Sequence, residues 1–464
     1  MTSHQRLSPL DAAFLAVESP SAHMHVGFAA VFDPPPGGMP PRFPQLLEHI
    51  ERRLCRVPRY RQMLAPVPFE VHHPVWVDDP RFDVSRHLVR SKASGIGDAV
   101  DQSMSQPLPR DRPLWQISIA DRLEGGRLGV VGKAHHCMVD GIATVELASL
   151  LLDAEPEAQD PPEERWRPRP KPRRSELLAD GLVDRVRDEL ALARVPARLA
   201  ASPRRLWGLG GQLSGTVRAL ADSLRPAAPA SPLNESISPR RHLALLDRPV
   251  EELLQVKRAF GVKLNDVLLA ACAGGIRRFL ADQGHTPTRL KTMVPVSVRD
   301  RDDAGPGNQI TFMFVDLPCD EPDRARRLMD VHLATSRRKD AGQPKAADRL
   351  LRSISFAPHT LQQLASRLLS SPRTFNLVVS NIPGPREPLF MRGCELRRAY
   401  PVVPIADNHA LSIGMTTIRD RACFGLYADL DSLPDADSLA EHIDTEVDGL
   451  LALSGSRGPV IVPV

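Results

Sequence analysis

Residues 24–32 (MHVGFAAVF) form a strand-like apolar run, whereas residues 43–54 repeat their apolar positions at helical spacing. An earlier apolar run, 10–17, is broken by Asp11 and closed by Glu18. A third, 128–131, leads into HHCMVDG and then into an apolar-periodic helix predicted from Ile142. Strand and helix signals alternate, which is an α/β pattern. The pattern fails over 155–174, where prolines crowd around RWRPRPKPRR; such a segment neither forms a regular helix nor packs a core. Between 176 and 224 helical spacing returns, with Leu178, Leu182, Val186 and Leu190 opposed by Arg185, Arg187 and Arg194. Amphipathic helices are predicted there, either as a solvated arm between lobes or as a docking element for an anionic membrane surface. Residues 226–239 are a second loose segment. A new α/β region begins near Leu243, with helices expected over 250–260 and 266–282. Strands follow at 290–298, 310–317, 374–380, 411–418 and 422–428, and a closing helix at 437–451.

Three segments result: an N-terminal lobe over 1–154, a proline- and arginine-rich linker over 155–240, and a C-terminal lobe over 241–464. A chain of 464 residues is too long for one ordinary core, given about 100 to 200 residues per domain. Its 42% hydrophobic and 25% charged residues are those of a globular protein. A net charge of +4 lacks the concentrated basic footprint of a nucleic-acid binder. The six cysteines, Cys55, Cys137, Cys272, Cys319, Cys394 and Cys423, include no CxxC pair, so neither a zinc site nor a disulfide framework is expected. A cytoplasmic protein, neither exported nor membrane-spanning, is expected, because no apolar stretch approaches the roughly 18 residues of a span.

The sharpest chemical feature is His135-His136-Cys137-Met138-Val139-Asp140-Gly141, placed where a strand turns into a helix. Such turns set side chains at the carboxyl edge of a sheet, where substrates bind. Gly141 frees the backbone to turn after the acid. Imidazole has the side-chain pKa nearest neutral pH, so this position suits a general base. Asp140 either holds the histidine directly or locks the loop by pairing with a cation elsewhere. Two adjacent histidines project in different directions and no third ligand follows at HExxH spacing, so no metal site is expected.

His135 to Gly141 resembles the HHxxxDG motif of the bacterial wax ester synthase and diacylglycerol acyltransferase family. Further segments agree in order: Leu7-Ser8-Pro9-Leu10-Asp11, Met24-His25-Val26-Gly27, Pro113-Leu114-Trp115, Asn265-Asp266, Pro295-Val296-Ser297-Val298-Arg299, Gly307-Asn308 and Ser380-Asn381-Ile382-Pro383-Gly384-Pro385. The resemblance implies two chloramphenicol-acetyltransferase-like lobes of mixed sheets flanked by helices, with an active-site tunnel between them. Acyl-CoA would enter as co-substrate from one side, and diacylglycerol or a long-chain alcohol from the other; no bound cofactor is implied. Attachment to the inner face of the plasma membrane or to lipid bodies is compatible with it, and oligomeric state is left open.

Within that resemblance His136 matches the HxxxD register and is the expected general base, with Arg299 as the partner of Asp140. Ser380 and Asn381, expected at a strand end before a rigid turn, are oxyanion-binding candidates, with turn chemistry as the plainer reading. Asn265 and Asp266 stand at a helix start, where capping alone would explain them. Pro113, Leu114 and Trp115 are expected to line or shape the acyl passage. Cys137 departs from the small apolar residue more usual after the histidines. Two rival readings remain: a condensation-type enzyme with an amine acceptor, and a lipid-body paralogue with little or no turnover.

Overall fold

The computed structural model describes residues 4–138, 151–157, 161, 166–200, 232–297, 310–340 and 370–456. Helix α1 (Pro9–Val17) opens the fold, its first turn closed by the Ser8 hydroxyl oxygen, which accepts the Asp11 amide at 3.1 Å. Strand β1 (His25–Asp33), helix α2 (Phe43–Arg53), the hairpin β2 (Gln62–Ala65) and β3 (Val75–Asp78), and strand β4 (Leu88–Arg90) follow. Next come helix α3 (Ile96–Met104) and strands β5 (Trp115–Leu123) and β6 (Arg127–His135). After helix α4 (Arg174–Ala200) the second half runs through β7 (Arg241–Pro249), α5 (Val250–Phe260), α6 (Leu264–Asp282), β8 (Leu290–Ser297), β9 (Ile310–Leu317) and α7 (Arg324–Asp340). It ends with β10 (Leu377–Ile382), β11 (Phe390–Met391), β12 (Cys394–Val402), β13 (Leu411–Ile418), β14 (Arg421–Asp429) and α8 (Ala436–Ser456).

These strands build two six-stranded sheets, ordered β11-β12-β1-β6-β5-β4 and β7-β14-β13-β10-β8-β9. Both are mixed. In the first, only β4 and β5 are parallel; in the second, β10 runs parallel to β13 and β8. The division expected at 240/241 is not respected by the first sheet. Strand β12 pairs antiparallel with β1, from Gly27 opposite Val402 to Asp33 opposite Glu395, so a late segment completes the early lobe. The same strand lies on the second sheet. Gly414 and Gly425 face each other across β13 and β14, and a Cβ on Gly425 would collide with the Pro401 carbonyl oxygen. Only glycine admits that approach.

A continuous buried cluster runs through both halves. Polar ties reinforce it. Arg241 and Asp429, both buried, pair at 3.0 Å, and the same guanidinium donates to the Ser21 carbonyl of the first lobe. Helix α6 is almost wholly inside, where Gly275 lets α8 approach at Ile443. Among the described residues no single helix is long and apolar enough to cross a membrane; α5 and α6 reach that length only as a pair bent by 102°.

Helix α4 is the described part of the expected amphipathic arm. Its buried side is small: Leu177 joins Ala65, Val75 and Val77, and Asp184 pairs with Arg6 at 2.6 Å. Of the predicted apolar stripe, Leu182, Val186 and Leu190 face outward, each about half exposed and joined there by Val183, whereas Leu178 is half-buried. Residues 201–224 of that prediction lie outside the described residues.

His242 joins three elements, with Nδ1 2.7 Å from Asp101 of α3 and Nε2 3.1 Å from Asp437 of α8. The hydrogen bond to Asp101 is the main reason its pKa rises to about 9. An unfolded chain would hold that proton only below about 6.5, so the stabilisation is complete below 6.5 and disappears as pH rises through 9. His242→Gln should therefore lower the urea midpoint at pH 6 and leave little difference at about pH 10. An equal deficit at both values would contradict this reading.

Candidate active site

Strand β6 ends at His135, opposite His25 of β1, and the chain passes at once into one 3-10 turn, His136–Met138. Neighbouring strands hold that exit on both sides. The His135 amide donates to the Leu114 carbonyl and the His136 amide to the Met24 carbonyl, each at 2.9 Å. The Cys137 amide donates to His135 Nδ1 at 3.1 Å, so the neutral ring carries its proton on Nε2. That nitrogen lies 3.7 Å from the Glu18 carboxylate, which also pairs with Arg110. Burial, helped by Arg110 and His136, drives the His135 pKa down to about 2. The first histidine is thus a neutral, enclosed fixture of the turn.

The second is differently placed. The His136 ring is half-buried and stacks on Phe14 of α1, with centroids 3.6 Å apart and planes 17° from parallel. Its Nδ1 is enclosed and has no hydrogen-bond partner among the described residues. Burial lowers its pKa to about 4, against a weak opposing contribution from its own backbone carbonyl. At neutral pH the ring is uncharged and able to accept a proton. Cys137 offers no rival nucleophile: burial pushes its thiol up to about 12 although Arg110 pulls the other way, and the thiolate is the reactive form.

Two residues before His135, the buried Lys133 donates to the carbonyls of Ser103 at 2.7 Å and Gln106 at 3.0 Å, fastening α3 and the loop after it beneath the strand. Burial lowers its pKa to about 8. Among the described residues, no group of three or more His, Cys, Asp or Glu is placed to hold a metal ion.

The catalytic-domain description of the wax ester synthase/diacylglycerol acyltransferase family matches residues 7–268, and the C-terminal-domain description of the same family matches 306–450. The probable diacylglycerol O-acyltransferase tgs1 of Mycobacterium tuberculosis is 32% identical over 97% of this chain and 96% of its own length. The chain belongs to the wax ester synthase/diacylglycerol acyltransferase family. The probable diacylglycerol O-acyltransferase tgs2 of the same species is 30% identical over 96% of this chain and 98% of its own. Two solved structures bear on the fold of this family member. The Marinobacter aquaeolei wax ester synthase/diacylglycerol acyltransferase superposes with a TM-score of 0.69 at 24% identity, covering 97% of this chain and 100% of that one. The starter condensation domain of rhizomide synthetase, solved with C8-CoA, gives 0.59 at 15% identity, covering 99% and 96%. The two-lobed α/β fold expected of the family is therefore present.

The family motif is only partly within the described residues. Asp140, Gly141 and Arg299 lie outside them, as do Gly307 and Asn308, so the expected pairing of Asp140 with Arg299 has no geometry here. Leu114 and Trp115 are buried among core residues. The Trp115 indole donates to the Tyr60 carbonyl at 2.8 Å and stacks on His87 at 4.5 Å, while Pro113, also buried, precedes the Leu114 carbonyl that anchors His135. Asp266 is a structural carboxylate. It accepts from the Lys263 amide at 3.0 Å and from Thr335 Oγ1 at 2.8 Å, with His332 Nδ1 also at 2.8 Å, capping α6 and tying it to α7; Asn265 beside it is half-buried. Ser380 and Asn381 sit inside β10 rather than at its end, because pairing with β13 continues through Ile382. On the other edge the ladder with β8 covers only Leu377 and Val378, so both candidates lie past the point where those strands part.

Sequence patterns had not singled out Phe14, Glu18, Arg110 or the pairing of His25 with His135. Phe14 and Glu18 fell within and just after the run at 10–17; Arg110 carried no signal at all. With His136 neutral above about pH 4, the acid limb of kcat/KM for thiol release should fall near 4. A limb near 6.5, the value for a solvated ring, would contradict this environment.

Proposed function

We propose that the protein transfers a long-chain fatty acyl group from acyl-CoA to the hydroxyl of diacylglycerol, giving triacylglycerol, and to long-chain alcohols, giving wax esters. The observation that carries this reading is His136: an uncharged imidazole, half-open, at the exit of a sheet strand. A ring nitrogen takes the acceptor's hydroxyl proton as that oxygen attacks the thioester carbonyl. The C–S bond then breaks, and the imidazolium returns the proton to the leaving CoA sulfur, leaving an ester and free thiol. The inert Cys137 thiol favours direct transfer in a ternary complex over an acyl-enzyme.

In this scheme Asp140, paired with Arg299, keeps the loop after the histidines in place, and Gly141 lets the chain turn. Ser380 and Asn381 offer donors to the oxyanion of the tetrahedral intermediate. Pro113, Leu114 and Trp115 support the base through the Leu114–His135 hydrogen bond. Donor and acceptor approach the base from opposite sides of a passage between the lobes. Since the acceptor dissolves in lipid rather than water, the outward stripe Leu182, Val183, Val186 and Leu190 of α4 is the apolar face that would rest on a membrane or lipid body.

The test is free-thiol release from palmitoyl-CoA with diacylglycerol, hexadecanol or an amine as acceptor, for wild type and His136→Ala. Wild type should release thiol with the hydroxyl acceptors, and the variant should lose about two to four powers of ten in rate. Retained turnover in the variant would end the role of His136. Silence with every hydroxyl acceptor would end the transferase reading.

A further inference from the structure

Helix α1 touches the histidine pair at two points, and they are chemically different. At its middle, Phe14 lies face to face with the His136 ring at 3.6 Å. At its carboxyl end, the capping residue Glu18 pairs with Arg110 and turns an oxygen toward His135 Nε2 at 3.7 Å. Only Ala12 of the helix is fully buried, while Phe14, Leu15 and Val17 are half-buried against the core, so α1 lies over the motif as a packed but partly exposed cover. Because Ser8 closes its first turn and the Glu18 carboxylate ties its carboxyl end to Arg110, the position of the Phe14 ring is set from both ends.

A general base that activates a lipid hydroxyl activates water equally well. The hydrolytic route has the same balance: water gives its proton to the imidazole, its oxygen attacks the thioester carbonyl, and the C–S bond breaks. The CoA sulfur then recovers the proton, so a free fatty acid appears in place of an ester. What separates the two outcomes is which oxygen can reach the ring, and excluding water from a closed site is how enzymes suppress such losses. One face of His136 is covered by an aromatic ring that offers water no hydrogen-bonding partner.

We propose that Phe14 is a positioning residue that shields the base from water, so that the acyl group passes to a lipid acceptor instead of being hydrolysed; this rests on the acyl-transfer reading above. Glu18 acts one step further back, by holding the carboxyl end of the cover against Arg110 and His135. The role concerns the fate of the acyl group, not the rate alone.

The experiment uses the full-length protein with palmitoyl-CoA and diacylglycerol, and measures both products: triacylglycerol and free palmitate. For Phe14→Ala, which opens the base to water while leaving the base itself in place, the ratio of palmitate to ester should rise roughly tenfold. Phe14→Tyr, which keeps a ring on the imidazole, should restore the wild-type ratio. Glu18→Gln, which loosens the cover without touching His136, should raise the ratio about threefold, the modest factor a part-exposed ion pair carries. It also decides the matter should Phe14→Ala fail to fold. Loss of both products in parallel, with the ratio unchanged in Phe14→Ala and Glu18→Gln, would overturn the shield while leaving acyl transfer standing. No thiol release by wild type with any acceptor would overturn both.

Discussion

The pairing of β1 with β6 sets both histidines, because the ladder stops at His25 opposite His135, one residue before His136. A strand's side chains alternate faces, so a slip of one residue would exchange the enclosed position of His135 for the opposite side of the sheet. The register is pinned by close packing. A Cβ on Gly27 would collide with the Gly132 carbonyl oxygen, and one on Gly132 with the Phe28 ring. Strand β1 also pairs with β12 from the far end of the chain, and β12 rests on Gly414 and Gly425 of the second sheet. The strand that positions the histidine pair is therefore also the strand through which the two halves are joined.

Given that frame, two adjacent identical side chains acquire opposite roles. His135 spends its Nδ1 on the Cys137 amide and is nearly sealed from solvent, so it shapes the turn. His136, one residue on, has left the ladder; its backbone is held by Met24, and one face of its ring stacks on Phe14. Desolvation dominates the electrostatics of both rings and keeps both neutral.

Much of this was legible in the residues themselves, for physical reasons. Strand β9 (ITFMFVDL) is a dense apolar run and β13 (LSIGMTTI) alternates apolar with small or hydroxyl residues, and their bounds coincide with the expected 310–317 and 411–418. The histidine motif stood out because strand, turn and helix signals converge on it. Strand β12 (CELRRAYPV) was not read as a strand: Arg397 and Arg398 break its apolar pattern, and only the fold supplies their partners Asp33 and Asp247. Helix α7 was missed because its surface is dominated by arginine and only a narrow face, with Leu328 and Val331, is buried. Asp266 looked like a site residue in sequence because His332 and Thr335, which consume its oxygens, are more than sixty positions away. The Phe14 stack is invisible to any periodicity, since it joins residues 14 and 136 through the arrangement of a helix over a strand end.

In the proposed mechanism His136 serves as a base in a ternary complex and the protein itself never carries the acyl group. Rapid mixing of the enzyme, at substrate-level concentration, with palmitoyl-CoA alone measures this most directly through the first turnover of thiol. No thiol burst is expected until diacylglycerol or a long-chain alcohol is added. A burst equal to the enzyme concentration in the absence of acceptor would mean a covalent acyl-enzyme and would contradict it.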